Sequence, residues 1–176
     1  MNEIRLRIGL YIQLLLIPLV ILIAWSTDSH GGGKKKIQKD ACALVTQDEI
    51  DSLFSAPVGP GRSVASISGF PECVWPAKGV PKFMLHILPS SSGKITEAIN
   101  PGQGYRVYNI KGLRGEAAVA IQQANPKYGI KEGVAIFAIR AKNFTLSFSP
   151  VNLDIQEGSP KFEVLKKIAD KASGRI

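Results

Sequence analysis

The stretch VAIFAIRAKNFTLSFSP, residues 134–150, decides the fold class. Phe144, Leu146 and Phe148 recur at every second position, the period of a strand that buries one face. The whole stretch reads as two strands turning around Ala141, Lys142 and Asn143. Upstream, KFMLHILPS (82–90) alternates in the same way. It sets Phe83, Leu85 and Ile87 on one face and Met84, His86 and Leu88 on the other. ECVWPAKG (72–79) is a shorter strand that carries Cys73 and Trp75 and is ended by Pro76, and RSVASISG (62–69) alternates before it. GYRVYNIKGLRGEAAVAIQQ (104–123) reads as strand, glycine-bounded turn and strand, and NPKYGIKEG (125–133) as a hairpin connection.

Helices bracket and interrupt these strands. In DACALVTQDEIDSLF (40–54), Thr46 and Glu49 have the spacing of a capping box, and Val45 and Ile50 that of a hydrophobic staple. The spacing predicts a helix over 46–55 with Ile50, Leu53 and Phe54 on its buried face. Acids in its first turn, Asp48, Glu49 and Asp51, complement the helix dipole. GKITEAIN (93–100) predicts two helical turns. At the C-terminal end Ser159 caps and Pro160 opens a helix whose buried stripe is Phe162, Leu165, Ile168 and Ala169. The expected domain, residues 40–176, is therefore α+β: an antiparallel sheet of about five to seven strands with helices packed on one face.

Ahead of it, residues 8–25 (IGLYIQLLLIPLVILIAW) are 18 residues without a charge, enough to cross the hydrocarbon core as a helix. A short N-terminal segment, residues 1–7, precedes this run, and a flexible basic linker, residues 26–39, follows it. The run reads as a single-pass anchor with the C-terminal domain outside the cytoplasm. Ala24-Trp25-Ser26 leaves open the alternative of a cleaved signal and a secreted protein. The formal charge is +8, which suits anionic headgroups or an acidic envelope component as well as plain solubility. Nucleic acid is not expected as a partner, because the basic residues are dispersed and no aromatic–arginine platform accompanies them.

Chemistry has little purchase on this sequence. Of two histidines, His30 falls in the linker and His86 stands alone in a strand, so no nucleophile–base pair is legible. No cluster has metal-ligand spacing, and the glycines of PGQGY and GLRGEA lack a phosphate loop's ending. The expectation is a non-catalytic protein without cofactor or metal.

Taken in order, a cysteine followed by ALVTQDEIDSLF (43–54), then CVW (73–75), IKGLRGEAAVA (110–120) and a final helix ending IADKASGRI (168–176) resemble a family of bacterial exported lipoproteins of unknown function. That family commonly reads Cys-x-Leu-Leu-Thr-x-x-Glu-Val, Cys-x-Trp and Gly-Leu-Gly-Asp-Glu-Ala. Similar domains form the outer sensor modules of some membrane serine/threonine kinases. The chain departs from the pattern in lacking a lipid-bearing cysteine and in carrying Arg114, which leaves Glu116 as the carboxylate of its turn. The resemblance implies a Cys42–Cys73 disulfide. The residues agree with it, since two cysteines of an exported chain pair internally in only one way, the alternative being two buried free thiols.

Function then reads as a membrane-anchored extracytoplasmic domain that recognises an envelope ligand or protein partner. The candidate surface is basic and aromatic: Lys78 and Lys82 in KGVPKF, with Tyr105, Arg106, Tyr108, Lys111 and Arg114 in GYRVYNIKGLRG. The competing reading is an accessory single-span subunit whose residues 8–25 pack among the integral membrane proteins of a larger complex, with the outer domain as a structural cap.

Overall fold

The computed structural model describes residues 40–65, 69–151 and 154–176. The expected membrane span, its linker and the segment before them lie outside the described residues. Among the described residues no helix is long and apolar enough to cross a membrane.

Seven strands among the described residues follow in chain order: β1 Arg62–Ala65, β2 Pro71–Ala77, β3 Val80–Pro89, β4 Tyr105–Ile110, β5 Ala117–Gln122, β6 Gly133–Ala141 and β7 Phe144–Pro150. They form one sheet in the order β1-β2-β3-β7-β6-β5-β4, every pair antiparallel. Two meanders are thus joined edge to edge by the β3–β7 ladder, in which Leu85 faces Phe148 and Ile87 faces Leu146. Among the described residues the helices are α1 Gln47–Asp51, α2 Ile95–Ala98 and α3 Pro160–Arg175, with 3-10 turns at Ala41–Leu44 and Pro126–Tyr128.

The alternation read from the sequence fixes the main core. Cys73, Trp75, Phe83, Leu85, Phe137, Ile139, Leu146 and Phe148 all point to one face and are buried. Their rings interlock, Trp75 edge-on to Phe83 at 5.8 Å between centroids and Phe83 tilted to Phe148 at 6.2 Å, arrangements that aromatic quadrupoles favour. Helix α3 lies across this face with Phe162, Leu165, Ile168 and Ala169 buried, and Phe162 meets Phe137 edge to face at 6.1 Å.

Four expectations need correction, one being that the two helical turns expected over 93–100 are about one turn, Ile95–Ala98. Helices do not all pack on one face: α2 lies on the other, where Ile95 and Ile99 cover Ala118, Ala120 and Ala138. The reason is β5 itself, whose residues 117–121 are all buried because this end of the sheet is sandwiched. The first helix is shorter than expected. The capping box forms, Glu49 N–H to Thr46 Oγ1 and Thr46 N–H to Glu49 Oε2, but the helix stops at Asp51. Leu53 is nevertheless fully buried from the following turn. Finally, β2 runs through Pro76 to Ala77. The ladder shifts register between Trp75 and Pro76, and such a bulge is where a strand tolerates a residue that donates no hydrogen bond.

Cys42 and Cys73 are joined by a disulfide with Cα atoms 5.0 Å apart. It ties the Ala41–Leu44 turn to β2 behind Trp75. Gly61 closes over the bond, since a Cβ there would stand 2.8 Å from the indole and 2.9 Å from the Cys73 sulfur.

Candidate functional site

The strand directions give the sheet two loop-bearing ends, and these sort the candidate residues. At one end lie the β2–β3 turn, the entry to β4, the β5–β6 connection and the N-terminus of α3, as the ladders Ala77↔Val80, Tyr105↔Gln122, Gln122↔Gly133 and Phe83↔Pro150 require. Lys78, Lys82, Tyr105 and Arg106 gather towards this end. Lys111 and Arg114 follow β4 at the opposite end, and Tyr108 sits between. The seven residues therefore do not form one surface.

Several have structural partners. Arg106 bridges two carboxylates, with Nη2 at 3.3 Å from Glu132 and 3.2 Å from Glu157, and its guanidinium carbon lies 5.5 Å from the Tyr108 ring centre. Tyr108 packs against the main core, and its buried hydroxyl has no hydrogen-bond partner among the described residues. Burial, and then the Glu157 carboxylate, push the phenol well above the ordinary tyrosine range. Arg114 pairs with Asp170 at 3.2 Å. Lys111 is exposed.

Glu116, the carboxylate left in the GLRGEA turn, is also occupied. Arg140 donates to it at 2.6 Å and to the carbonyls of Ser91 and Gly93, while Glu116 Oε1 accepts weakly from the Ile95 N–H at 3.4 Å. This cluster fastens α2 to the sheet. Gly115 beside it leaves room for the Arg140 carbonyl, which any Cβ would strike. His86 lies 3.5 Å from Glu72 on the face opposite the main core. Among the described residues no three histidine, cysteine or acidic side chains gather as metal ligands would.

Apart from exposed Lys111, the basic candidates without an ion pair among the described residues, Lys78 and Lys82, lie at the first end. A shallow, largely apolar cleft of about 270 Å³ opens there between Phe54, Val58 and Ala77, rimmed by Lys82, Lys161 and Asp154. Beyond it two hydrophobic side chains project into solvent, Val80 at 51% exposure and Tyr128 at 68%. Lys127, Tyr128, Lys131 and Lys161 were not among the residues that local sequence singled out. The legible signal was Pro126-Lys127-Tyr128-Gly129, an aromatic placed in a turn where burial has no use for it.

Comparison with family models, with curated proteins and with solved structures finds no match.

Proposed function

We propose that residues 40–176 are a non-catalytic binding domain, held at the outer face of a membrane by residues 8–25. The observation that carries this reading is the Cys42–Cys73 bridge, with Cys73 fully buried on the same face of β2 as Trp75. Such bonds persist in oxidising compartments and are rare in the cytosol. Support also comes from the apolar run of 18 residues and from the resemblance to exported bacterial lipoproteins. The polar clusters of the domain fit this reading as well. Arg140–Glu116, Arg106–Glu132–Glu157 and Arg175–Glu49 each tie distant segments together, which leaves the lysines and exposed apolar side chains around the first loop end for recognition.

The test is isolation of the full-length protein in mild detergent from its native membrane, with thiol titration and mass spectrometry of its N-terminus and companions. The expected result is no reactive thiol and an N-terminus that retains residues 8–25. A mature chain beginning at Thr27, or two titratable thiols, overturns the anchored extracytoplasmic reading. Companions that are integral membrane proteins, lost when residues 8–25 are exchanged for an unrelated span, overturn the free-standing binding domain in favour of an accessory subunit.

A further inference from the structure

We infer that the loop end bearing Lys78, Val80 and Tyr128 is a docking face for an anionic lipid bilayer. The inference rests on the anchored-domain reading and adds to it a surface and a partner.

Among the described residues only three large hydrophobic side chains are exposed, and two of them, Val80 and Tyr128, project from this end. Both stand on tight turns. Lys78 and Gly79 adopt φ of 50° and 77° in the turn between β2 and β3, the left-handed pair that suits a two-residue hairpin. Tyr128 ends the Pro126–Tyr128 turn, which Gly129 closes at φ 66° and which Asn125 and Ile130 clamp with reciprocal backbone hydrogen bonds. The two tips belong to the β2–β3 turn and the β5–β6 connection, at the same end of the sheet, with β7 between the nearer strands β3 and β6.

Lysines accompany each tip. Lys78 adjoins Val80, and Lys127 holds its ammonium 5.5 Å from the Tyr128 ring centre. Lys131 follows in the same loop, and Lys82 and Lys161 rim the cleft. None of these five has an ion-pair partner among the described residues. Glu132 and Glu157 share the single guanidinium of Arg106, so that cluster keeps one negative charge and Asp154 adds a second, against the five lysines.

The combination selects the partner. A soluble polyanion is bound by cations alone and gains nothing from exposed Val80 and Tyr128. A bilayer uses both kinds of group: lysines meet the phosphates, while tyrosine and valine settle among the headgroups. Reach is sufficient as well, since the fourteen residues of 26–39 extend to at most about 50 Å.

The experiment places full-length protein in nanodiscs of phosphatidylcholine alone and of an equal mixture with phosphatidylglycerol. It reads retention of the protein and amide hydrogen exchange of residues 78–82 and 126–131. The expected result is several-fold slower exchange at both tips in the anionic discs, reversed by high salt. Each of Lys78→Glu and Lys127→Glu should weaken docking at least about fivefold, and Tyr128→Ser should weaken it without changing the salt response. A chain retained in both discs with equal exchange at the tips overturns the docking face and leaves the anchored reading intact. A chain retained in neither overturns both. Equal slowing by soluble polyphosphate, undiminished by Tyr128→Ser, overturns the bilayer as partner.

Discussion

Arg175 grips Glu49 with both arms of its guanidinium, Nη1 to Oε2 at 2.7 Å and Nη2 to Oε1 at 2.8 Å, across 126 residues of sequence. Nη1 also donates to the Leu44 carbonyl at 2.7 Å. One side chain near the end of α3 thereby holds the turn that carries Cys42 and the capping carboxylate of α1. Forked pairing of this kind fixes orientation as well as charge.

The acid limb of the stability curve should report this contact. Glu49 is held at about 2 instead of 4.5, chiefly by the Arg175 hydrogen bonds; burial opposes them, and the Thr46 N–H and the guanidinium charge add to them. A depressed carboxyl contributes fully above its unfolded value and loses the contribution as pH falls through the folded one. Arg175→Gln should therefore cost roughly 1–3 kcal/mol at neutral pH, allowing for partial solvent screening. The two proteins should converge in urea denaturation between pH 4.5 and about 2. A constant gap across that window contradicts the assignment.

Tyr108 gives the alkaline counterpart. Its ionised form is disfavoured in the fold by burial and by Glu157, so stability is intact below the ordinary tyrosine range and declines as pH rises above it. In a spectrophotometric titration of the native protein, the amplitude lost in Tyr108→Phe should be the late-titrating, unfolding-linked part. An early loss assigns the late phase elsewhere.

Reduction should cost the domain roughly 3–4 kcal/mol in the chain-entropy account, given a sequence separation of 31 between the cysteines. Cys42→Ala/Cys73→Ala should show the same loss without reductant. A melting temperature indifferent to reductant excludes the bridge as a stabiliser.

Gly61→Ala tests the close approach over the disulfide. The new methyl meets the indole at 2.8 Å and the sulfur at 2.9 Å, so loop and ring must separate, at roughly 1–3 kcal/mol. Trp75 emission should shift to the red as water reaches the ring, and an unchanged spectrum and denaturation midpoint would falsify the packing described.

Arg140→Met removes the bonds to Glu116, Ser91 and Gly93 together. Exchange of the amides at 94–100 should quicken about tenfold or more, while the amides of β3 and β7 change less. Uniform quickening across the sheet instead makes Arg140 a determinant of global stability.

Much of this architecture was legible because it is written locally. The alternation of 83–87 and 144–148 set the core face, and Thr46–Glu49 and Ser159–Pro160 marked two helix starts. The second layer was harder to see. Ala117-Ala118-Val119-Ala120-Ile121 is apolar at every position, which is the mark of a strand covered on both sides, yet small alanines give no period to read. The Glu49–Arg175 and Glu116–Arg140 pairs join segments that no local pattern relates. The candidate surface suffered for the same reason: Arg106 and Lys111 are five residues apart, but β4 carries them to opposite ends of the sheet.

The position of the disulfide bears on the order in which the molecule is made. Cys42 and Cys73 both precede β3, so a chain that appears in sequence order has presented both sulfurs while more than half of it is still to come. The bridge can lock early, with no ring for later segments to pass through. The seam between β3 and β7 must wait for residues 144–150 to arrive, which makes the joining of the two meanders the late step of maturation.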